Sequence, residues 1–362
     1  MAGDALEGPS PPPARPRSRG EELGEELLRA RLDAIAAPAA RSGRFAGLVA
    51  GAVVGTTAAT VGYARRHPAG SPGATIFEIG SVTKLFTALA LADMAEEGLV
   101  GLDDPVGAAL PPGVAAPSRR GREVTLAQLA THTSGLPRLP KGLMAQALRH
   151  RDDPYARFTV EDLHAAVATV RLRRAPGRRF RYSNFGAGLL GHVLARRAGL
   201  PYEELVAERI LRPLGMGDTT VTVAAADRPR LAPGHSRRGR PVAPWHLPTL
   251  AGAGALRSTA DDLLRFLGAS LDPPPSRLGR AIARTHEPRA RAAPNVRVGL
   301  GWMITRLGPG DDRTMAWHNG GTGGYRSFIA LVPQARAGVV VLASSARSVD
   351  RLGTDLMRAL AG

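Results

Sequence analysis

Ser81-Val82-Thr83-Lys84 places a lysine three residues after a serine, in a chain with 48 Lys+Arg of which only Lys84 and Lys141 are lysine. Residues three apart on a helix share a face, so the hydroxyl and the amine would be neighbours. A lysine withdrawn from water loses affinity for its proton, because desolvation penalises the charged form. Its amine can then take the proton of the adjacent hydroxyl and release an oxygen nucleophile. A serine at the start of a helix also offers its own unpaired backbone N–H to a developing oxyanion. Taken alone, a helix-capping serine beside an incidental surface lysine accounts for the same four residues.

Two further triplets bear on that choice. "FRYSNFG" supplies Tyr182-Ser183-Asn184, in a chain with five tyrosines and three asparagines; its ordinary reading is a loop whose Asn184 caps the following helix. "AWHNGGTGGYRSF" supplies His318-Asn319-Gly320 at a strand end, where glycines let a substrate lie close to the backbone. Its ordinary reading is a tight turn holding a satisfied histidine. Other chemistries lack their residues. With no cysteine, there is no disulfide, thiolate zinc site or cysteine nucleophile. No H-E-x-x-H or acidic calcium loop occurs, and "HNGGTGGY" lacks the GK[ST] ending of a phosphate loop, so no metal and no cofactor is expected.

The elements that must position these residues follow from periodicity. "EELGEELLRARLDAIAAPAA" reads as an amphipathic helix, and Phe45–Val54 and Thr57–Arg65 as antiparallel strands joined near Gly55. Ser81–Gly98 is apolar nearly all round and predicts a buried helix stopped by Gly98. Short helices between Pro/Gly loops follow. "RSTADDLLRFLGASL" opens another helix with Ser258 and Asp261 at capping-box-like spacing. "VGLGWMITR", "RTMAWHNGG", "YRSFIALVP" and "GVVVLASS" read as successive strands, and "VDRLGTDLMRALAG" as a closing helix. The chain thus divides into a Pro/Arg tail over 1–22 and one catalytic domain over 23–362. Its sheet-bearing part spans about 23–100 and 250–362, and its helical region about 101–249. The 44% hydrophobic content suffices for a large core.

The net charge of +17 raises nucleic acid or an anionic membrane as partners. The arginine pairs 65–66, 119–120, 173–174, 178–179 and 237–238 are scattered, and aromatics are only 4%, so nucleic acid is not expected as the main partner. The N-terminus shows no apolar signal core, which predicts a cytoplasmic protein. The first apolar run is too short and too rich in Gly and Thr to span a bilayer, so no membrane partner is expected.

At S-x-x-K, Y-x-N and H-x-G, in that order, the sequence resembles the serine β-lactamase and penicillin-binding-protein superfamily, in particular its class C-like branch. "LATHTSGLP" (129–137) and "GALRSTADDLLRFL" (254–267) resemble the loop and helix between that family's catalytic motifs. The resemblance runs from about Phe45 to Ser345. It implies an α/β fold of α+β type: a mixed, mainly antiparallel sheet flanked by helices, with an inserted helical region. It implies that Ser81 forms an acyl-enzyme, that Lys84 shares its proton, and that Tyr182 is general base and later acid, its phenolate favoured by the neighbouring ammonium. Asn184 would hold Lys84 and the substrate amide, and His318 would line the opposite wall and help position Tyr182 or the substrate. Asn319 and Gly320 would lie along the substrate, and the N–H groups of Ser81 and Gly321 would form the oxyanion hole. The implied substrate is a small ester, amide or β-lactam; the alternatives are acyl transfer to a small acceptor and silent ligand binding. His318 stands where β-lactamases and DD-peptidases usually carry a lysine that attracts the substrate carboxylate. A mostly neutral imidazole there favours esters over penicillins, unless arginines such as Arg326 restore positive charge.

Overall fold

The computed structural model describes residues 19–64 and 70–362. Most of the expected tail lies outside the described residues, and helix α1 already runs from Arg19 to Arg41. Strands β1 (Gly47–Val54) and β2 (Thr57–Ala64) form the expected hairpin, and Gly55 turns it at φ +60. Arg65, the expected end of β2, lies outside the described residues.

The remaining strands of the main sheet come from the C-terminal third. They are β3 (Ala290–Ala293), β4 (Val296–Val298), β5 (Met303–Arg306), β6 (Thr314–Gly321), β7 (Arg326–Val332) and β8 (Ala337–Ala343). With the first hairpin they form one eight-stranded sheet in the order β2-β1-β8-β7-β6-β5-β4-β3. Each pairing in it is antiparallel. The two ends of the sequence meet where Leu48 opposes Ala343 and Val54 opposes Ala337. All seven residues of β8 are buried, because both faces of the sheet are covered. Alternate side chains serve alternate layers. Leu48, Ala50, Val339 and Val341 pack under α1 and the closing helix Asp350–Ala361, whereas Val49, Val53, Val340 and Leu342 join the main core.

Helix α2 (Thr83–Glu96) runs through that main core, buried on every side from Thr83 to Met94. Each of its large side chains contributes roughly 1.5–3 kcal/mol by leaving water. One buried residue is acidic: Asp93 bonds Arg209 of the helical region and Arg277 on the sheet side, both at 2.9 Å. Removing one partner of a buried pair strands the other. Asp93→Ala is therefore expected to cost about 3 kcal/mol, measured by urea unfolding, with the half-exposed Arg277 rehydrating and limiting the loss.

Two caps differ from the expected ones by one residue. Helix α3 (Asn184–Ala198) is capped by Ser183, whose hydroxyl accepts from Gly186 N–H, and not by Asn184. Helix α4 (Ala260–Leu271) is capped by Thr259, which accepts from Asp262 N–H at 3.1 Å. Ser258 is instead in a two-residue strand, Arg257–Ser258, paired with Phe77–Glu78. In both cases the cap is the last extended residue before the helical backbone begins, which spacing alone leaves ambiguous.

Candidate active site

The serine sits on a single 3₁₀ turn, Gly80–Val82, that leads into α2, and Lys84 lies in the first turn of the helix. Lys84 Nζ is 2.9 Å from Ser81 Oγ and donates to Ala253 carbonyl at 2.6 Å. The "GALRS" stretch brackets this corner. Ile79 N–H donates to Leu256 carbonyl, and Leu256 N–H donates to Thr83 Oγ1, each at 3.1 Å. Lys84 is only 3% exposed. Burial first, and then the charge of Arg138, hold its proton affinity far below that of a free lysine. Both causes favour the unprotonated amine, whose lone pair could take the Ser81 proton.

Tyr182 approaches from the helical region on the segment entering α3, braced by the 129–137 loop. Arg181 N–H donates to His132 carbonyl at 2.7 Å, and Ser183 N–H donates to His132 Nδ1 at 3.3 Å. The His132 ring packs 4.3 Å from that of Tyr182. Burial keeps His132 neutral, which leaves Nδ1 free to accept. Lys84 Nζ stands 5.0 Å from the Tyr182 ring centre. Burial pushes the Tyr182 phenol up to about 12, with the Ser81 hydroxyl opposing that shift. The expected phenolate, favoured by a Lys84 ammonium, is opposed on both sides: burial raises the Tyr182 phenol and lowers the proton affinity of Lys84. The rate should fall as pH drops through the depressed Lys84 pKa and the amine protonates. It should then stay flat to about pH 10, because Tyr182 remains a phenol. A pH profile of kcat/KM that keeps climbing toward pH 12 would instead mark tyrosinate as the active form.

Asn184 donates to Tyr155 Oη at 3.4 Å, and its buried Oδ1 has no partner among the described residues. The expected bond from Asn184 to Lys84 is not formed; the carbonyl of Ala253 takes that place. His318 also departs from expectation. It is 2% exposed, lies beneath the cleft and not on its wall, and is pushed down to about 3 by burial and then by Lys84. Its Nδ1 is 2.6 Å from Asn319 carbonyl. The wall itself is made by the next residues, Asn319 to Thr322. Asn319 Nδ2 donates to Asp350 Oδ2 at 3.0 Å, which ties the wall to the closing helix.

Glycines at positions 80, 320 and 321 let the end of β6 close against the serine turn. Gly80 has φ +51, and a Cβ there would meet Gly321 N at 2.6 Å. A Cβ on Gly320 would meet Ile79 carbonyl at 2.0 Å. The close approach expected of a substrate at Gly320 is thus made by the chain itself. Thr322 N–H donates to Tyr325 carbonyl, so the alternation of an antiparallel ladder turns Gly321 N–H away from β7. The Gly321 nitrogen thus lies beside the turn that carries Ser81.

The cleft above them, about 500 Å³, is lined by Ser81, Tyr182, Asn184 and Asn319 to Thr322. Arg138, Tyr155, Trp245 and Asp350 are among the further residues that line it without having been singled out from the sequence. No motif marks them; Arg138, the residue directly after "LATHTSGLP", had the one available signal. Arg326 also reaches the cleft. Its Nη1 donates to Thr322 and Tyr325 carbonyls at 2.8 and 2.6 Å, and a Cβ on Gly321 would lie 2.9 Å from that nitrogen. Among the described residues no group of three His, Asp or Glu side chains converges as a metal site. No helix there is long and apolar enough to cross a membrane.

A serine hydroxyl, a buried lysine and a tyrosine meet at the join of an antiparallel sheet and a helical half, the grouping a serine acyl-hydrolase uses. The chain belongs to the β-lactamase family, whose family model, described as Beta-lactamase, matches residues 28–362. It is a serine hydrolase of that family and shares its acyl-enzyme chemistry. It is 32% identical over 281 residues to the D-alanyl-D-alanine-carboxypeptidase/endopeptidase AmpH of Escherichia coli K12, covering 74% of this chain and 70% of that protein. It is 28% identical over 300 residues to a β-lactamase of Pseudomonas fluorescens, covering 75% and 79%. Among solved structures, the D-alanine carboxypeptidase AmpC from Burkholderia cenocepacia superposes with a TM-score of 0.76 at 28% identity, over 92% of this chain and 98% of that one. A class C β-lactamase superposes at 0.79 with 22% identity, over 94% and 98%, which speaks for the fold.

Proposed function

We propose that this protein hydrolyses small acyl compounds carrying an anionic group beside the scissile bond, through an acyl-enzyme on Ser81. Lys84 takes the Ser81 proton as Oγ bonds to the acyl carbon, and the N–H groups of Ser81 and Gly321 receive the oxyanion. Tyr182 gives its phenolic proton to the leaving nitrogen or oxygen and regains one from the Lys84 ammonium. Water then attacks the acyl carbon, passes a proton through the same pair to Ser81 Oγ, and releases the acid. Lys84 is favoured over Tyr182 as the base because its pKa is lowered while that of Tyr182 is raised. Asn184, with a buried carbonyl oxygen lacking a partner, suits a substrate amide N–H.

The observation that carries the substrate class is Arg326, packed against the Gly321 that holds the oxyanion corner. With His318 buried and neutral, the cations facing the cleft are arginines, Arg326 and Arg138. A guanidinium pairs with a carboxylate in a planar, bidentate manner. Amides of the kind named for the AmpH relative end in such a carboxylate. This modifies the preference for esters, which rested on His318 alone. Matched substrates with a free carboxylate and with its neutral amide test the reading. Arg326→Met should lower kcat/KM for the acid roughly 10- to 100-fold and leave the neutral compound nearly unchanged. Equal losses on both would remove carboxylate recognition from the proposal. Independently, a fluorophosphonate should add once, with loss of fluoride, and Ser81→Ala should abolish the adduct in intact-mass spectra.

A further inference from the structure

Three of the five arginine pairs that lie scattered along the sequence converge in space. Arg119, Arg120, Arg173, Arg174 and Arg178 line one small pocket of about 240 Å³. A neighbouring hollow of about 400 Å³ shares Arg173 and Arg174 and adds Arg179 and Arg181. Ion pairs elsewhere occupy other arginines, such as Arg209, Arg230 and Arg284. These seven are exposed and form no ion pair among the described residues. The nearby acid Glu123 is turned inward to Gly107 N–H at 2.5 Å.

So much uncompensated like charge destabilises the folded chain by mutual repulsion. The backbone adds to the cost. The strands Ser118–Arg119 and Arg122–Glu123 are joined through Arg120 at φ +55 and Gly121 at φ +70. Such a turn favours Asn-Gly or Gly-Gly, and an arginine in its first central position is strained. The fold nonetheless places that arginine at the mouth of the pocket. Strain of this kind, kept beside unpaired charge, is the observation from which a ligand is inferred.

We infer that this arginine pocket binds a compact, phosphate-rich anion, such as a pyrophosphate or tripolyphosphate group. The guanidinium fork matches phosphate oxygens bidentately, which suits a site built of arginine and not lysine. A concave pocket of this size fits a few phosphates better than a flat lipid surface. Its lining of five arginines and Ala175 contains no aromatic ring on which bases would stack. The same phosphates are carried by an inorganic chain and by a nucleoside triphosphate, so both belong in the test.

The test is isothermal titration of the full chain with tripolyphosphate and with ATP at about 0.15 M salt, where diffuse surface attraction is screened. One molecule of tripolyphosphate is expected per chain. Arg173→Glu/Arg174→Glu should weaken it at least about tenfold, because two bidentate partners are lost. Arg237→Glu/Arg238→Glu makes the same charge change elsewhere and should leave the affinity within about twofold, as for a distant independent site. Circular dichroism and thermal melts establish that both variants fold, and tripolyphosphate should raise Tm of the wild type but not of the first variant. Equal binding of ATP and tripolyphosphate places recognition on the phosphates; tighter binding of ATP adds a base contact at Phe180 in the adjoining hollow. The inference is overturned if both double variants lose affinity equally, if binding does not saturate near one per chain, or if anionic vesicles or random DNA bind more tightly than tripolyphosphate at the same salt.

Discussion

Lys84→Arg is expected to lower kcat/KM by about 10⁴-fold or more, nearly as far as Lys84→Ala or Ser81→Ala. The lysine sits at 3% exposure with Nζ 2.9 Å from Ser81 Oγ, and its value to the reaction is that it can be neutral. Arginine keeps its proton at any working pH, so it supplies charge and hydrogen bonds but no base. Ser81→Ala/Lys84→Ala should be no worse than either single change, because the two residues act as one unit and its loss is felt once. Lys141→Ala, at the exposed second lysine, serves as the reference for loss of a lysine. The measurement is kcat/KM on an activated ester, with thermal melts to show that each variant folds. A folded Lys84→Arg protein within tenfold of wild type would mean that positive charge alone is required.

Gly80→Ala should reduce kcat by about 10²- to 10³-fold, the cost of losing one oxyanion donor. The new Cβ would meet Gly321 N at 2.6 Å and Gly321 O at 2.9 Å. Both are backbone atoms, so no side chain can swing aside, and the end of β6 must move away from the serine turn. Strain at positive φ contributes as well, and Gly55→Ala isolates it. Gly55 has φ +60 in the β1–β2 turn with nothing within 4 Å of its Cβ position. It should lose about 1 kcal/mol of stability and no activity. A Gly80→Ala enzyme with normal kcat would show that Gly321 N–H does not serve the oxyanion.

Much of the frame was legible because local signals agreed. Alternation and Gly55 marked the first hairpin, and the apolar run after Ser81 marked the buried α2. The strands after Met303 stood out as β-rich segments between turns. The caps of α3 and α4 slipped by one residue because serine and threonine stand side by side with asparagine or acid, and only the backbone decides which is extended. The Asn184–Lys84 bond failed for a longer-range reason: the carbonyl that takes Lys84 belongs to Ala253, on a segment 169 residues away.

The sequence by itself determined that a serine and a lysine share one turn, since three residues of helix bring them together whatever surrounds them. It also determined the order of Ser81, Tyr182 and His318 and, with no cysteine, left thiol chemistry without residues. The tertiary structure decided in which direction their proton affinities move. Burial lowers the proton affinity of Lys84 and His318 and raises the pKa of the Tyr182 phenol, and desolvation cannot be read from neighbours in the chain. It decided too that Arg119, Arg120, Arg173, Arg174 and Arg178, scattered in one dimension, share a pocket in three. Spacing reports what a helix or strand makes adjacent; only the folded backbone brings together charges from separate loops.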